Sequence, residues 1–145
     1  MENAGDASTC SVLARLRELS DDAEFFQDIA KVFSRHKHFD HALAAFELSM
    51  QLDPCDGFTH LYLGNWYYRE KQYEVALERF EYACELMPEL AVSYWCVADV
   101  YEALGNFQAA REWHQRGMAA EPSSSAAKKN FRQFVRRRRW REDHP

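Results

Sequence analysis

Residues 61–80, LYLGNWYYREKQYEVALERF, place Gly64 among the apolar and aromatic residues of a segment with helical spacing. Leu61, Gly64, Tyr67 and Tyr68 recur at intervals that put them on one face of an α-helix. A glycine inside a helix costs about 1 kcal/mol relative to alanine. We therefore predict that Gly64 occupies a point where two helices pack too closely to admit a side chain.

A period of 34 residues relates this segment to the rest of the chain. Prolines recur at this interval at Pro54, Pro88 and Pro122, which divides the chain into the blocks 23–56, 57–90 and 91–124. The same frame aligns small residues (Ala30, Gly64, Ala98; Ser49, Ala83, Gly117), aromatic residues (Phe33, Tyr67, Tyr101; Phe39, Tyr73, Phe107) and alanines (Ala42, Ala76, Ala110). Each block contains two amphipathic segments separated by a short polar turn. Self-similarity at this period is typical of stacked helix hairpins.

The pattern resembles the tetratricopeptide repeat, whose consensus is W-x2-L-G-x2-Y…A-x3-F…P. The second block fits it at Leu63, Gly64, Tyr67, Ala76, Phe80 and Pro88, with His60 in place of the leading Trp. The third block departs from it at His114, where the family has an aromatic residue. The resemblance implies an all-α fold, a right-handed α-solenoid of three helix hairpins with an N-terminal helix and a C-terminal capping helix.

We expect three parts in the chain. Residues 1–22 form an N-terminal extension with a short amphipathic helix, residues 23–124 the three repeats, and residues 125–145 a capping helix and an Arg-rich tail. The apolar positions of the two end helices are Val12, Leu13, Leu16 and Leu19, and Phe131, Phe134 and Val135. Asp21 with Glu24 predicts a capping box before the first repeat, and the serines of 123–125 predict an N-cap for the last helix.

Charge is distributed unevenly over the chain. The net charge is −5, yet residues 128–145 carry eight Lys and Arg against two acidic residues, so residues 1–127 are strongly acidic. The tail could contact nucleic acid or an anionic surface through Arg136, Arg137, Arg138, Arg139, Trp140 and Arg141. Alternatively, its arginines solvate a structural helix or dock onto acidic groups of the same chain. We favour the structural interpretation.

The remaining sequence offers little chemistry. No catalytic motif is present, so we predict a protein that is not an enzyme and uses no cofactor. The first twenty residues lack a secretory signal and the four cysteines lack a CxxC spacing, which favours reduced thiols and a cytoplasmic location. Cys84 and Cys96 are interpreted as small buried hydrophobes, with a redox pair as the alternative. His36, His38 and His41 are interpreted as a solvated turn, so no metal site is predicted, with adventitious metal binding as the alternative.

The resemblance also implies where a partner binds. In this family the first helices line a concave face, and the matching positions are Gln27, Lys31, Arg35, Phe58, Leu61, Asn65, Tyr68, Arg69, Val92, Trp95, Asp99 and Glu102. These residues predict a groove with an apolar centre, a basic end and an acidic end. We predict a scaffold or adaptor that binds a peptide or helical segment with apolar anchors. A second possibility is that some of these side chains pack under the terminal helices instead.

Three other functions are compatible with parts of this sequence to different degrees. Chaperone-binding relatives grip acidic C-terminal tails through a lysine, asparagine and arginine clamp, and the matching positions here are Gln27, Lys31, Tyr62, Val92 and Cys96. Since only Lys31 has a suitable charge, we predict no binding of that kind. Secretion chaperones that hold apolar segments, and a nucleic-acid-associated protein that uses the tail, are alternative functions. The partner and the oligomeric state are left open.

Overall fold

The computed structural model describes the backbone of residues 4–144 and the side chains from residue 11 onward. The described chain consists of α1 (Ala4–Leu19), α2 (Ala23–Arg35), α3 (Phe39–Leu52), α4 (Gly57–Arg69), α5 (Tyr73–Leu86), α6 (Ala91–Ala103), α7 (Phe107–Ala120) and α8 (Ser125–Asp143). The closest packing joins α2 to α3, α4 to α5 and α6 to α7. The expected all-α solenoid of three hairpins is confirmed.

The helices keep the 34-residue register beyond the three hairpins. The first helices begin at Ala23, Gly57 and Ala91, and α8 begins at Ser125, the next position in the same series. Thus α8 has the place of the first helix of a fourth repeat, and it packs on α7 and α6. At the other end of the chain, α1 lies against α3. The helix that continues the stacking order of the hairpins is therefore α8.

Glycines mark the closest approaches between helices, as predicted for Gly64. A Cβ atom on Gly64 would stand 2.5 Å from Cε1 of Phe80, which lies on the partner helix of the same hairpin. A different close approach occurs in the third hairpin, where a Cβ on Gly117 of α7 would lie 3.0 Å from the Cβ of Tyr94 on α6. The buried rings of Phe26, Phe80 and Phe134 fill the space between the helices.

The turn inside each hairpin needs one residue with positive φ. Lys37 (φ 63°), Lys71 (φ 59°) and Gly105 (φ 79°) occupy the same position in the three repeats. A left-handed backbone conformation is unfavourable for residues with a Cβ, so only the third turn has the residue that suits it.

Helix caps follow the register with one correction to the sequence analysis. The N-cap of α2 is Asp22 rather than Asp21, and its carboxylate accepts from the Glu24 amide. Asp56 caps α4 in the corresponding position. The third repeat has Leu90 there, and the carboxylate of Glu121 accepts from the Ala91 amide instead. Ser124 caps α8, which confirms the predicted use of a serine.

The N-terminal helix is less buried than its apolar pattern suggested. Leu13 packs against the cluster formed by Ala30, Ala45, Phe46 and Leu63. Leu19, predicted to be on the apolar face, is 76% exposed because α1 ends there and has only α3 beside it. Among the described helices, none has the length and apolar character needed to cross a membrane.

Candidate functional site: the face formed by the first helices

The centre of the predicted groove combines exposed and partly buried side chains. Phe58 is 50% exposed at the start of α4, and Asn65 is exposed two turns further along. Tyr68 and Trp95 are partly buried, because both rings pack against the core between α4, α5 and α6. Leu61 differs from expectation: it is buried in that core and supports the surface from beneath.

The basic end of the groove is occupied by a polar network. The amide nitrogen of Gln27 donates to Asp56 Oδ2 and to Thr59 Oγ1, which joins α2 to the start of α4. Lys31 donates to Gln27 Oε1 at 2.7 Å and forms an ion pair with Asp28 at 3.1 Å. Gln27 therefore has a structural role between the first two repeats, and the charge of Lys31 is partly compensated.

Tyr62 is a surface aromatic that the predicted groove omitted. Its ring stacks on Phe46 with centroids 4.9 Å apart, and the Lys31 ammonium lies 5.6 Å from its centroid. The contact with Lys31 places it at the edge of the groove. The repeat position of Tyr62 did not indicate these surroundings, because they depend on Phe46 of α3.

The acidic end of the groove is bridged by α8. Nε and Nη2 of Arg137 donate to Oε1 and Oε2 of Glu102, at 3.0 and 2.7 Å. Together with Tyr68, Asp99 and Arg141, this pair lines a cavity of about 350 Å³. Because α8 has the register of a first helix, Arg137 reaches the same face as the predicted groove residues.

Two titratable groups near α8 are shifted by burial. Burial raises the pKa of Asp99 to about 6, while Arg137 opposes the shift and Glu102 adds to it. Burial lowers the pKa of His114 to about 4. The His114 ring lies between α7 and α8, with its centroid 5.1 Å from that of Phe134. It thus fills the consensus aromatic position of the third repeat as a neutral ring.

The remaining groove residues lie at the rim. Arg69 stacks over the ring of Phe39, with its guanidinium carbon 4.6 Å from the centroid. Arg35 is exposed at the end of α2. Val92 packs partly buried against the core. The site is therefore an aromatic surface centred on α4, with charged residues at both ends.

The Arg-rich tail is divided between two environments. Arg138 lies 3.8 Å above the ring of Phe107 and pairs with Glu142, and Arg141 lies 5.8 Å from the same ring. Arg136 and Arg139 are exposed. The ring of Trp140 is 62% exposed and stacks on His144. Half of the tail is thus committed to contacts within the chain.

Comparison with known proteins agrees with this architecture. The family model of the tetratricopeptide repeat matches residues 57–90, the second hairpin. Solved structures with the same arrangement include the first repeat domain of Spaghetti (RPAP3) bound to the HSP90 peptide SRMEEVD. It is 20% identical, has a TM-score of 0.70, and the match covers 81% of this chain and 93% of that chain. Residues 57–90 thus match a tetratricopeptide repeat, and the chain has the fold of tetratricopeptide-repeat domains.

Other proteins similar to this chain differ widely in size. The Sgt2 repeat domain from Aspergillus fumigatus matches with a TM-score of 0.72 and 16% identity, over 83% of this chain and 82% of that chain. Protein O-mannosyl-transferase TMTC1 is 24% identical in Homo sapiens and 26% identical in Mus musculus, over 78% of this chain. The match spans only 13% and 12% of those two proteins.

The cysteine and histidine side chains singled out in the sequence are packed among other residues of the chain. Cys84 and Cys96 are free, and burial raises the pKa of each thiol to about 12. His38 and His41 pack beside Phe33, with the Phe33 and His41 centroids 5.1 Å apart. In the described part of the chain, no three His, Cys, Asp or Glu side chains are grouped to hold a metal ion.

Proposed function

We propose that the chain is a non-enzymatic interaction protein that binds a protein segment on the face formed by α2, α4 and α6. The observation that carries this proposal is the exposure of Phe58 beside Asn65 and Tyr68, between two charged ends. Exposed aromatic residues supply much of the energy at protein interfaces. The amide of Asn65 can both donate to and accept from a peptide backbone. The cytoplasmic location predicted from the cysteines belongs to this proposal.

The relative solved with an HSP90 peptide supports a peptide ligand in general. The ligand proposed here differs in chemistry from an acidic tail. At the clamp positions Gln27 is held by Asp56 and Thr59, Lys31 is paired with Asp28, and Cys96 is buried. One compensated cation gives little attraction to a string of carboxylates. We therefore propose a segment with apolar anchors that meet Phe58, Tyr62 and Tyr68.

The O-mannosyl-transferases do not alter this proposal. Their similarity covers 78% of this chain but about an eighth of their own length. A match of this extent assigns no part of their transferase activity to the repeats. The proposal therefore remains a binding function without catalysis.

A peptide library provides the test, because no partner needs to be assumed. Peptides selected on the full chain are titrated by calorimetry against the wild type, Phe58→Ala and Asn65→Ala. We expect micromolar binding, weakened about tenfold or more by Phe58→Ala. Tyr82→Ala, an exposed aromatic on α5, is the matched control and should bind as the wild type does. Equal affinity for Phe58→Ala and the wild type would refute the proposed site.

A nucleic-acid function is the second candidate, favoured by the exposed Arg136, Arg139 and Trp140. Arginines bind phosphate with release of counterions, so such binding weakens steeply with salt. Retention of RNA and DNA should then fall in the triple variant R136A/R139A/W140A at low salt. Equal retention by the variant and the wild type would eliminate this candidate.

A further inference from the structure

The outer face of α5 carries a stripe of glutamates that the proposed function does not use. Glu74, Glu78, Glu81 and Glu85 recur at intervals of four, three and four residues, on the side of α5 opposite the buried Ala76 and Phe80. None of the four forms an ion pair with another described residue. Surface carboxylates at this spacing repel one another. A row of positively charged side chains would therefore be attracted to this stripe.

A crevice lies beside this stripe, between α3 and α5. It has a volume of about 560 Å³ and is lined by Met50, Pro54, His60, Glu78, Arg79, Glu81, Tyr82 and Glu85. His60 is 2% exposed, and its Nε2 bonds to the carbonyl oxygen of Pro54 at 2.8 Å. Nδ1 of His60 is also buried and has no hydrogen-bond partner among the described residues. The crevice thus combines the apolar surfaces of Met50, Pro54 and Tyr82 with charged side chains of α5.

The outer face of α8 carries the complementary charge. Lys128, Arg132, Arg136 and Arg139 are exposed and recur at intervals of four, four and three residues, opposite the buried Ala127 and Phe134. The first and last residues of each stripe are eleven positions apart, which corresponds to about 16 Å of helix. Trp140 flanks the basic stripe with its indole 62% exposed. The basic stripe therefore equals the acidic one in length and number of charges, and has an aromatic group beside it.

The register of α8 determines which residues lie on its outer face. Arg132 lies 34 residues after Ala98 and so falls in the column of Ala30, Gly64 and Ala98. In the hairpins this column admits almost no side chain, as the contact between Gly64 and Phe80 shows. An arginine at this position prevents a second helix from packing as in the other repeats. The face is suited instead to a charged surface.

We propose that α8 of one copy of this chain docks on the outer face of α5 in a second copy. The basic stripe lies along the four glutamates, and the Trp140 ring enters the crevice between α3 and α5, where it packs against the apolar surfaces of Met50, Pro54 and Tyr82. Charge complementarity sets the orientation, and the buried aromatic group supplies the anchor. The contact joins two different surfaces, so it forms either a reciprocal pair or a chain of copies.

Sedimentation of the nuclease-treated full chain tests this proposal. At about 10 mM salt, where the Debye length is about 30 Å, the average mass should rise with protein concentration above 17.1 kDa. At about 1 M salt, where that length is about 3 Å, the chain should be monomeric. A mass that stays at 17.1 kDa at every concentration in low salt would overturn the proposal.

Charge reversal identifies the two surfaces. The variants E78K/E81K and R132E/R136E should each be monomeric alone, and an equimolar mixture of the two should associate again. The control E18K/E112K changes the net charge as E78K/E81K does, at exposed positions on α1 and α7, and should associate as the wild type does. Association of either test variant alone would overturn the assignment. So would a mixture of the two that associates no more strongly than expected from the change in net charge, as measured with the control.

The anchor is tested by Trp140→Ala, which we expect to lower the association constant about tenfold. Trp140→Phe should fall between Trp140→Ala and the wild type, because it keeps an aromatic ring but buries less apolar area than an indole. Thermal unfolding monitored by circular dichroism confirms that each variant is folded. An association constant unchanged by Trp140→Ala would show that the ring does not enter the crevice.

Discussion

Gly64 and Phe80 form the closest contact between the two helices of the second hairpin, because a Cβ on Gly64 would stand 2.5 Å from Phe80 Cε1. Real Cβ atoms do not approach an aromatic carbon to this distance, and Phe80 is 1% exposed with no free space to move into. The missing side chain is therefore a requirement of the packing, and it offsets the low helix propensity of glycine.

The first prediction concerns this contact. Gly64→Ala should lower the free energy of unfolding by about 1–3 kcal/mol, since the cost of overpacking exceeds the gain of about 1 kcal/mol in helix propensity. Urea denaturation measures the change. Asn65→Ala, at the exposed neighbouring position, should leave stability nearly unchanged or raise it slightly. A Gly64→Ala variant more stable than the wild type would contradict the packing described here.

The second prediction concerns the turns within the hairpins. Lys71→Gly should raise the free energy of unfolding by up to about 1 kcal/mol, because Lys71 holds φ at 59° where the third repeat has Gly105. Conversely, Gly105→Ala should cost about 1 kcal/mol, although no atom lies within 4 Å of the added Cβ. Gln72→Gly, which has a negative φ, is the control and should not stabilise the chain.

The third prediction concerns pH and follows from Asp99 and His114. The pKa of Asp99 rises from 3.8 to about 6 on folding, so its contribution to stability is present below pH 4 and is lost as pH rises through 6. The pKa of His114 falls from 6.5 to about 4, so its contribution is present above pH 6.5 and is lost as pH falls through 4. Between about pH 4 and 6, a rise in pH therefore removes the contribution of Asp99 to stability and restores that of His114.

Single substitutions should reveal these two slopes. Relative to the wild type, Asp99→Asn should gain stability as pH rises from 4 to 7, reaching about 2–3 kcal/mol. His114→Phe should gain stability relative to the wild type as pH falls over the same interval. Denaturation curves at pH 4, 5, 6 and 7 provide the measurement. Parallel pH profiles for all three proteins would show that neither group is shifted.

The fourth prediction concerns the link between α8 and the groove. Arg137→Ala should lower the free energy of unfolding by about 1 kcal/mol, since it removes a bidentate pair whose arginine remains partly exposed to screening solvent. Arg139→Ala, on the exposed face of the same helix, should change stability by less than about 0.5 kcal/mol. Equal effects of the two substitutions in chemical denaturation would show that the pair with Glu102 is not structural.

The sequence predicted the fold in detail because a 34-residue period specifies every helix several times over. The close contact at Gly64, the hairpin turns and the serine cap of α8 all follow from local spacing or from the repeat columns. The predicted cap at Asp21 was one residue early, because Asp21 and Asp22 are both good caps and only the backbone conformation distinguishes them.

The site was harder to predict, because exposure depends on neighbours that no spacing reveals. Leu61 and Phe58 both belong to the predicted groove, yet Leu61 is buried among residues of the neighbouring helices while Phe58 is exposed. The ion pair between Arg137 and Glu102 could be predicted only from the register of α8. That register is known only once the first residue of α8 is known. Sequence columns thus indicated the face of each helix but not the depth of each side chain.

Chemical-shift mapping with a selected peptide tests the central claim most directly, because it locates binding on the folded chain without any substitution. We predict that the amide shifts change most in α2, α4 and α6, around Phe58, Asn65 and Tyr68, and little in α3, α5 and α7. Shifts confined to the outer helices α3, α5 and α7, with α4 unaffected, would contradict the proposed binding face.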